Sequence, residues 1–99
     1  MAEEKVTVLA IMTAREGMED KVRAEAEALI EPTRQEEGCI NYTLHQDSDN
    51  PARLMFHENW RSRQDLDEHL RKPYLTRFLS LAEQWLDSPA DISHWREIG

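Results

Sequence analysis

Residues 6–12 constrain the fold of this chain more than any other stretch, because they are nearly all apolar and rich in β-branched side chains. The run is too short for a stable helix and therefore predicts a β-strand. Apolar residues occupy successive positions rather than alternate ones, so both faces of this strand should be covered. Any architecture proposed for the chain must place packing material on each side of it.

Helical and strand-like patterns alternate along the rest of the chain. Apolar side chains at steps of three and four predict a helix over residues 18–35, in which Pro32 should kink or restart the last turn. Ser62 is a typical N-cap and precedes a second helical segment, which Lys72-Pro73 interrupts and Pro89 ends. The four predicted strands lie at residues 6–12, 39–46, 53–60 and 92–98.

The resulting β-α-β-β-α-β order predicts an α+β, ferredoxin-like fold: a four-stranded antiparallel sheet with two helices on one face. With 99 residues, the chain has room for one domain spanning residues 1–99. Two helices cover only one sheet face, whereas the first strand is apolar on both. We therefore expect a second copy of the chain to cover the other face, giving a homodimer.

Charge and cysteine content narrow the partners and the compartment. The formal net charge of −8 disfavours binding to nucleic acid or to an anionic membrane surface. The single cysteine, Cys39, cannot form an internal disulfide, which fits a reducing compartment. We see no signal peptide and no stretch long enough to span a bilayer, so we expect a cytoplasmic protein.

Common cofactor and metal motifs are absent from the sequence. With three glycines, the chain has no dinucleotide-binding or phosphate-binding loop. The four histidines are scattered without the usual ligand spacing, so we predict no metal site. These histidines are His45, His57, His69 and His94.

The most informative group of residues is Glu58, Trp60 and His69. Glu58 and Trp60 are two positions apart on a predicted strand and therefore share a face. His69 lies on the apolar stripe of the following helix, beside Leu66 and Leu70, and should pack over that face. A half-buried histidine beside a carboxylate can move protons near neutral pH, and a tryptophan can wall a flat substrate. From the residues alone, a structural Glu58–His69 pair is the commoner explanation.

Three further residues are candidates for contact with a substrate. Tyr42 and Asn41 present polar groups on opposite faces of the second strand, and the sequence does not reveal which of them shares a face with Glu58. Phe78 lies on an apolar helical stripe, where a core position is the more usual role. We include all three among the substrate-binding candidates.

Three segments together resemble the antibiotic biosynthesis monooxygenase domain family, in its quinol-monooxygenase-like branch. They are residues 32–42 (PTRQEEGCINY), residues 58–62 (ENWRS) and residues 66–70 (LDEHL). The resemblance extends from about Val6 to Ile98. It implies a dimeric α/β barrel, in which the sheets of two subunits pair, and a ligand cleft between the sheet and helices of each subunit.

The resemblance also implies a reaction. Family members oxygenate electron-rich phenols or quinols with O2 and without flavin, haem or metal, so no cofactor is expected. A base removes a phenolic proton, and the resulting anion passes an electron to O2. On this basis His69 is the candidate base, Glu58 its orienting partner, and Trp60 a wall for a small aromatic substrate.

The sequence departs from the residue sets of two branches of the family, which argues against haem degradation and against polyketide oxygenation. Haem-degrading relatives use an Asn, Trp and His set; the first two positions here hold Ala10 and His69, and the third lies near Leu79. Polyketide-tailoring members use Asn, Trp, Tyr and Arg, of which only the tryptophan is matched here, by Trp60. Two alternatives stay open: an acid–base enzyme acting on a small phosphorylated signal or carbonyl metabolite, and a non-catalytic dimer that binds a small molecule.

Overall fold

The computed structural model describes residues 4–99, which form one antiparallel sheet and four helices. The strands are β1 (Val6–Thr13), β2 (Cys39–Gln46), β3 (Arg53–Trp60) and β4 (Asp91–Trp95). The helices are α1 (Glu19–Glu27), α2 (Ile30–Arg34), α3 (Arg63–Leu70) and α4 (Pro73–Trp85). The predicted ferredoxin-like α+β fold is confirmed, with each expected helix divided into two.

The strand order in the sheet is β2-β3-β1-β4, and each neighbouring pair is antiparallel. Val8 at the centre of β1 lies opposite Glu58 on one side and His94 on the other. Tyr42 lies opposite Glu58 from the outer strand β2. Since directly opposed residues share a face, Tyr42, Glu58, Val8 and His94 form one row across the sheet.

The first helical region breaks earlier than predicted. The interruption between α1 and α2 falls at Ala28-Leu29 rather than at Pro32. Pro32 is the third residue of α2, within the first turn, where its missing N–H removes no hydrogen bond of that helix. The chain therefore restarts its helix ahead of the proline instead of bending at it.

The second helical region follows the predicted signals. The Ser62 hydroxyl caps α3 by accepting a hydrogen bond from the Asp65 N–H at 3.2 Å. Pro73 is the first residue of α4, a position at which its fixed φ favours helix. The last strand ends at Trp95, three residues before the predicted end at residue 98.

The core lies between the sheet and the helices. All of the buried strand residues are on the same face as Val8: Val8, Met12, Tyr42, Leu54, Phe56, Glu58 and Trp60. The helices contribute the buried residues Val22, Ala26, Leu66, Phe78, Ala82 and Trp85, among others. On the opposite sheet face, Leu9, Ile11 and Met55 are only half-buried. The expectation that β1 is apolar on both sides is thus met, with close packing on one side only.

Gly38 allows the loop before β2 to approach the start of α3. A Cβ atom at this position would lie 2.1 Å from Cγ of Asp65, which is far inside van der Waals contact. Asp65 is itself held by hydrogen bonds from Ser62 and Arg61. This contact holds the loop that carries Glu36 against the helix that carries His69.

Within residues 4–99, no helix combines the length and the apolar character needed to cross a lipid bilayer.

Candidate functional site

A cavity of about 280 Å³ lies between the sheet and the helices. Its lining is apolar except for four side chains, Tyr42, Glu58, His69 and His94. The side chains of Leu70, Leu79 and Ile92 line it as well, and they are 41–51% exposed, so they mark its mouth. An apolar cavity with a few convergent polar groups is the usual form of a small-molecule site.

His69 is held in this cavity by a carboxylate that the sequence did not reveal. Its side chain is only 2% exposed, and its Nδ1 lies 2.8 Å from Oε2 of Glu36, which is 7% exposed. The same carboxylate oxygen accepts a hydrogen bond from the Tyr74 hydroxyl. The predicted Glu58–His69 pair is therefore corrected: the carboxylate bonded to His69 belongs to Glu36, from the loop before β2.

This bond determines which nitrogen of His69 can act on a ligand. A carboxylate only accepts hydrogen bonds, so Nδ1 carries the hydrogen and Nε2 keeps its lone pair. Burial lowers the pKa of His69, and this effect outweighs the Glu36 interactions, which raise it. The imidazole is consequently neutral near pH 7, with Nε2 available as a proton acceptor.

Glu58 has a different environment in the same cavity. It is 5% exposed, and its Oε1 accepts a hydrogen bond of 2.9 Å from the indole Nε1–H of Trp60. Burial raises the pKa of Glu58 to about 7, with a further upward contribution from the charge of Glu36; the Trp60 hydrogen bond opposes this rise. Near neutral pH the Glu58 carboxyl group can therefore both release and accept a proton.

Trp60 packs behind the residues that line the cavity and does not line the cavity itself. Its side chain is fully buried and does not line the cavity, contrary to the role predicted for it. The ring instead packs against His69, with centroids 4.5 Å apart, while its N–H binds Glu58. Trp60 thus positions the two titratable side chains.

The other substrate-binding candidates separate into two groups. Tyr42 and Phe78 line the cavity, and the Tyr42 ring stacks on Phe56 with centroids 4.4 Å apart. Asn41 lies on the opposite sheet face and does not line the cavity, so the strand register answers in favour of Tyr42 the question that the sequence left open. There it donates to the carbonyl oxygen of His57 and accepts from the amide of Asn59.

Comparison with known proteins identifies the family. A sequence model described as antibiotic biosynthesis monooxygenase matches residues 5–81, well over half of the chain. The chain belongs to the antibiotic biosynthesis monooxygenase family. The match includes Glu36, Glu58 and His69, together with all of the sheet except β4.

Comparisons with individual relatives, in sequence and in structure, support the assignment to the antibiotic biosynthesis monooxygenase family. The Mycobacterium tuberculosis protein named "Putative monooxygenase Rv0793" is 33% identical over 88 residues, which cover 89% of this chain and 86% of that protein. Its solved structure superposes with a TM-score of 0.92 at 30% identity and covers 96% of each chain. The structure of PA3566 from Pseudomonas aeruginosa gives a TM-score of 0.93 at 28% identity, covering 100% of this chain and 99% of that one.

One relative is longer than this chain. The Synechocystis protein sll1783, named as uncharacterized, is 30% identical over 95 residues, or 96% of this chain. The chain spans 65% of the length of that relative.

Two features of the site in this family member were missed from the sequence. Glu36 follows α2 in a loop without periodic pattern, 33 positions from His69, and nothing local indicates that contact. His94 lines the cavity because of the register of β4 against β1, which a single sequence does not specify. Within residues 4–99, no group of three or more His, Cys, Asp or Glu side chains is placed to hold a metal ion.

Proposed function

We propose that this protein is a cofactor-independent monooxygenase that oxidises a quinol or phenolic aromatic compound with O2. One observation carries the proposal: an apolar cavity whose four polar side chains include a neutral, carboxylate-oriented histidine and a carboxyl group with a pKa of about 7. Membership of the antibiotic biosynthesis monooxygenase family and the name of the Mycobacterium relative support the oxygenase class.

In the proposed reaction, Nε2 of His69 accepts the phenolic proton of the substrate. The phenolate transfers one electron to O2, and recombination of the two radicals forms a carbon–oxygen bond and a peroxide. Cleavage of the O–O bond leaves a carbonyl on the ring carbon and releases the other oxygen as water. The substrate loses two hydrogens and gains one oxygen, so it supplies every electron and no external reductant is needed.

The protein's contribution to this reaction is a base, an acid and a dry surface. General base catalysis by a positioned side chain contributes typically 10²–10⁴-fold. Glu58, which is partly protonated near neutral pH, can give a proton to the departing hydroxide. The apolar walls limit the access of water to the substrate anion. The cavity volume of about 280 Å³ lies at the small end of ligand pockets and suits one or two fused rings.

The lining of the cavity bears on two of the alternatives, a phosphorylated substrate and a purely structural His69. A phosphorylated substrate calls for Arg or Lys side chains, and the described residues that line the cavity include neither. A purely structural His69 would have its surroundings filled, whereas His69 and Glu58 both line an open space. The cavity therefore favours an uncharged ligand over a phosphorylated one, and a ligand-binding site over a purely structural His69.

Oxygen consumption by the purified protein with menadiol as substrate tests this function. After subtraction of the enzyme-free rate, His69→Gln should lower kcat/KM at least 100-fold with an unchanged circular dichroism spectrum. Glu68 provides a control, since this side chain is exposed on the helix that carries His69 and Glu68→Gln should retain the wild-type rate. If His69→Gln turned over at the wild-type rate, His69 would not be the base. Incorporation of oxygen from labelled dioxygen into the product would distinguish an oxygenase from an oxidase.

We also propose a homodimer, in which the second sheet face of each subunit is covered by its partner. This face carries the half-buried side chains of Leu9, Ile11 and Met55, and the exposed ring of Trp95. Light scattering after size exclusion should give twice the mass of 11.6 kDa. A cytoplasmic location is part of the same proposal, and it is supported by the single free thiol of Cys39.

A further inference from the structure

One wall of the cavity is built by β4, at the edge of the sheet opposite β2, and by the residues that lead into it. Ala90, Ile92 and His94 contribute to this wall, and all three follow residue 81, where the family match ends. Membership of the family therefore does not specify this side of the cavity. The residues that form it are the ones through which this chain can select its own substrate.

His94 is the polar group of that wall. It lines the cavity beside Ile92, which is 51% exposed, and it is exposed itself. Within residues 4–99 its imidazole makes no hydrogen bond. An exposed imidazole that borders an apolar cavity has donor and acceptor capacity available for a ligand.

The sheet register places His94 at a defined distance from the catalytic end. Glu58 on β3 and His94 on β4 both lie opposite Val8 on β1. Two strand spacings of about 4.8 Å separate their backbones by roughly 10 Å. A flat ligand lying across Val8 would therefore meet Glu58 at one end, His94 at the other, and apolar side chains between them.

We propose that His94 binds a second oxygen of the substrate, so that the cavity prefers aromatic compounds with oxygen atoms on opposite sides of the ring, as in a para-quinol. The first oxygen lies at the end of the cavity that holds Glu58 and His69. This inference rests on the proposed function and narrows its substrate class from phenols in general to quinols.

Equilibrium binding tests the inference without requiring turnover. Isothermal titration calorimetry compares menadione, which has two opposed carbonyl oxygens, with 1-naphthol, which has one oxygen on a similar ring system. His94→Phe keeps an aromatic wall but removes the hydrogen bond, and should weaken menadione binding about two- to tenfold. The same substitution should change 1-naphthol binding less than twofold, and His94→Gln should restore part of the menadione affinity.

Each other result overturns the inference. Equal weakening of both ligands would mean that His94 is only part of the apolar wall, and unchanged menadione binding would mean that it makes no contact with the ligand. Absence of menadione binding to the wild-type protein, with 1-naphthol still bound, would mean that a second oxygen keeps a ligand out of the cavity. Gln64→Phe, at an exposed position on α3 outside the cavity, controls for general effects of introducing a phenylalanine. If binding behaves as expected but no oxygen is consumed, the assignment of His94 stands and the oxygenase proposal fails.

Discussion

Because the Glu58 carboxyl group is buried, the free energy of unfolding should depend on pH, and the size of the effect can be worked out. Its pKa is about 7 in the folded chain, against an ordinary value of about 4.5 for a glutamate side chain in water. Between these two pH values the folded state binds more protons than the unfolded state, so stability falls as pH rises. The decrease begins near pH 4.5 and levels off above about pH 7. A difference of about 2.5 pH units corresponds to roughly 3 kcal/mol, at about 1.4 kcal/mol per unit.

Glu58→Gln isolates this effect. An amide is neutral at every pH, and its oxygen can still accept the hydrogen bond from Trp60. The variant and the wild type should be equally stable at pH 4, where Glu58 is protonated in both states. At pH 8 the variant should be more stable by about 3 kcal/mol, because it carries no buried charge.

Urea unfolding at pH 4, 6 and 8, at one protein concentration, measures the difference. The exposed Glu68 gives a matched control, since Glu68→Gln removes a charge that has no burial cost. If the stability of Glu58→Gln relative to wild type were the same at pH 4 and pH 8, the carboxyl group would not titrate as its burial implies. The proposed role of Glu58 as an acid near neutral pH would be lost with it.

Two further predictions concern the residues that position His69. Because Glu36 raises the pKa of His69, Glu36→Gln should move the acidic limb of the plot of kcat/KM against pH to lower pH. An unshifted limb would show that Glu36 does not set the basicity of the imidazole. Gly38→Ala should destabilise the protein by about 1–3 kcal/mol in urea unfolding, because its Cβ would overlap Asp65; wild-type stability would mean that the loop has room to move away.

The strands were the most predictable part of the fold. Strands β2 and β3 have the predicted bounds, because alternating side chains and the polar turn between them fix both ends. The break between α1 and α2 was placed wrongly because Pro32 is an obvious helix breaker, whereas Ala28 and Leu29 are good helix formers. The reason for a break at those two residues lies in tertiary packing, which propensity does not report.

The site was only partly predictable, for reasons of geometry. Glu58 and His69 line one cavity, as the two-residue strand period and the helical stripe predict. The choice between Tyr42 and Asn41 depended on strand register, which includes an irregularity between Cys39 and Asn41. Contacts made by loop residues follow no period at all.

The Glu36 contact is the clearest example of that limit. A histidine on the inner stripe of a helix indicates a buried carboxylate partner. The pattern does not show which of the nearby Asp or Glu residues is that partner. The sequence favoured Glu58, because a strand places it on a known face. The loop held by Gly38 brings Glu36 to Nδ1 instead, and leaves Glu58 to Trp60.

A crystal structure of the protein with menadiol bound in the absence of oxygen tests the central claim most directly, namely that an aromatic substrate enters this cavity and meets Nε2 of His69. The expected result is ring density between the sheet and α4, with one hydroxyl group donating to His69 Nε2 over about 3 Å. Menadiol bound at another surface, with this cavity left empty, would contradict the assignment of the site and of its base.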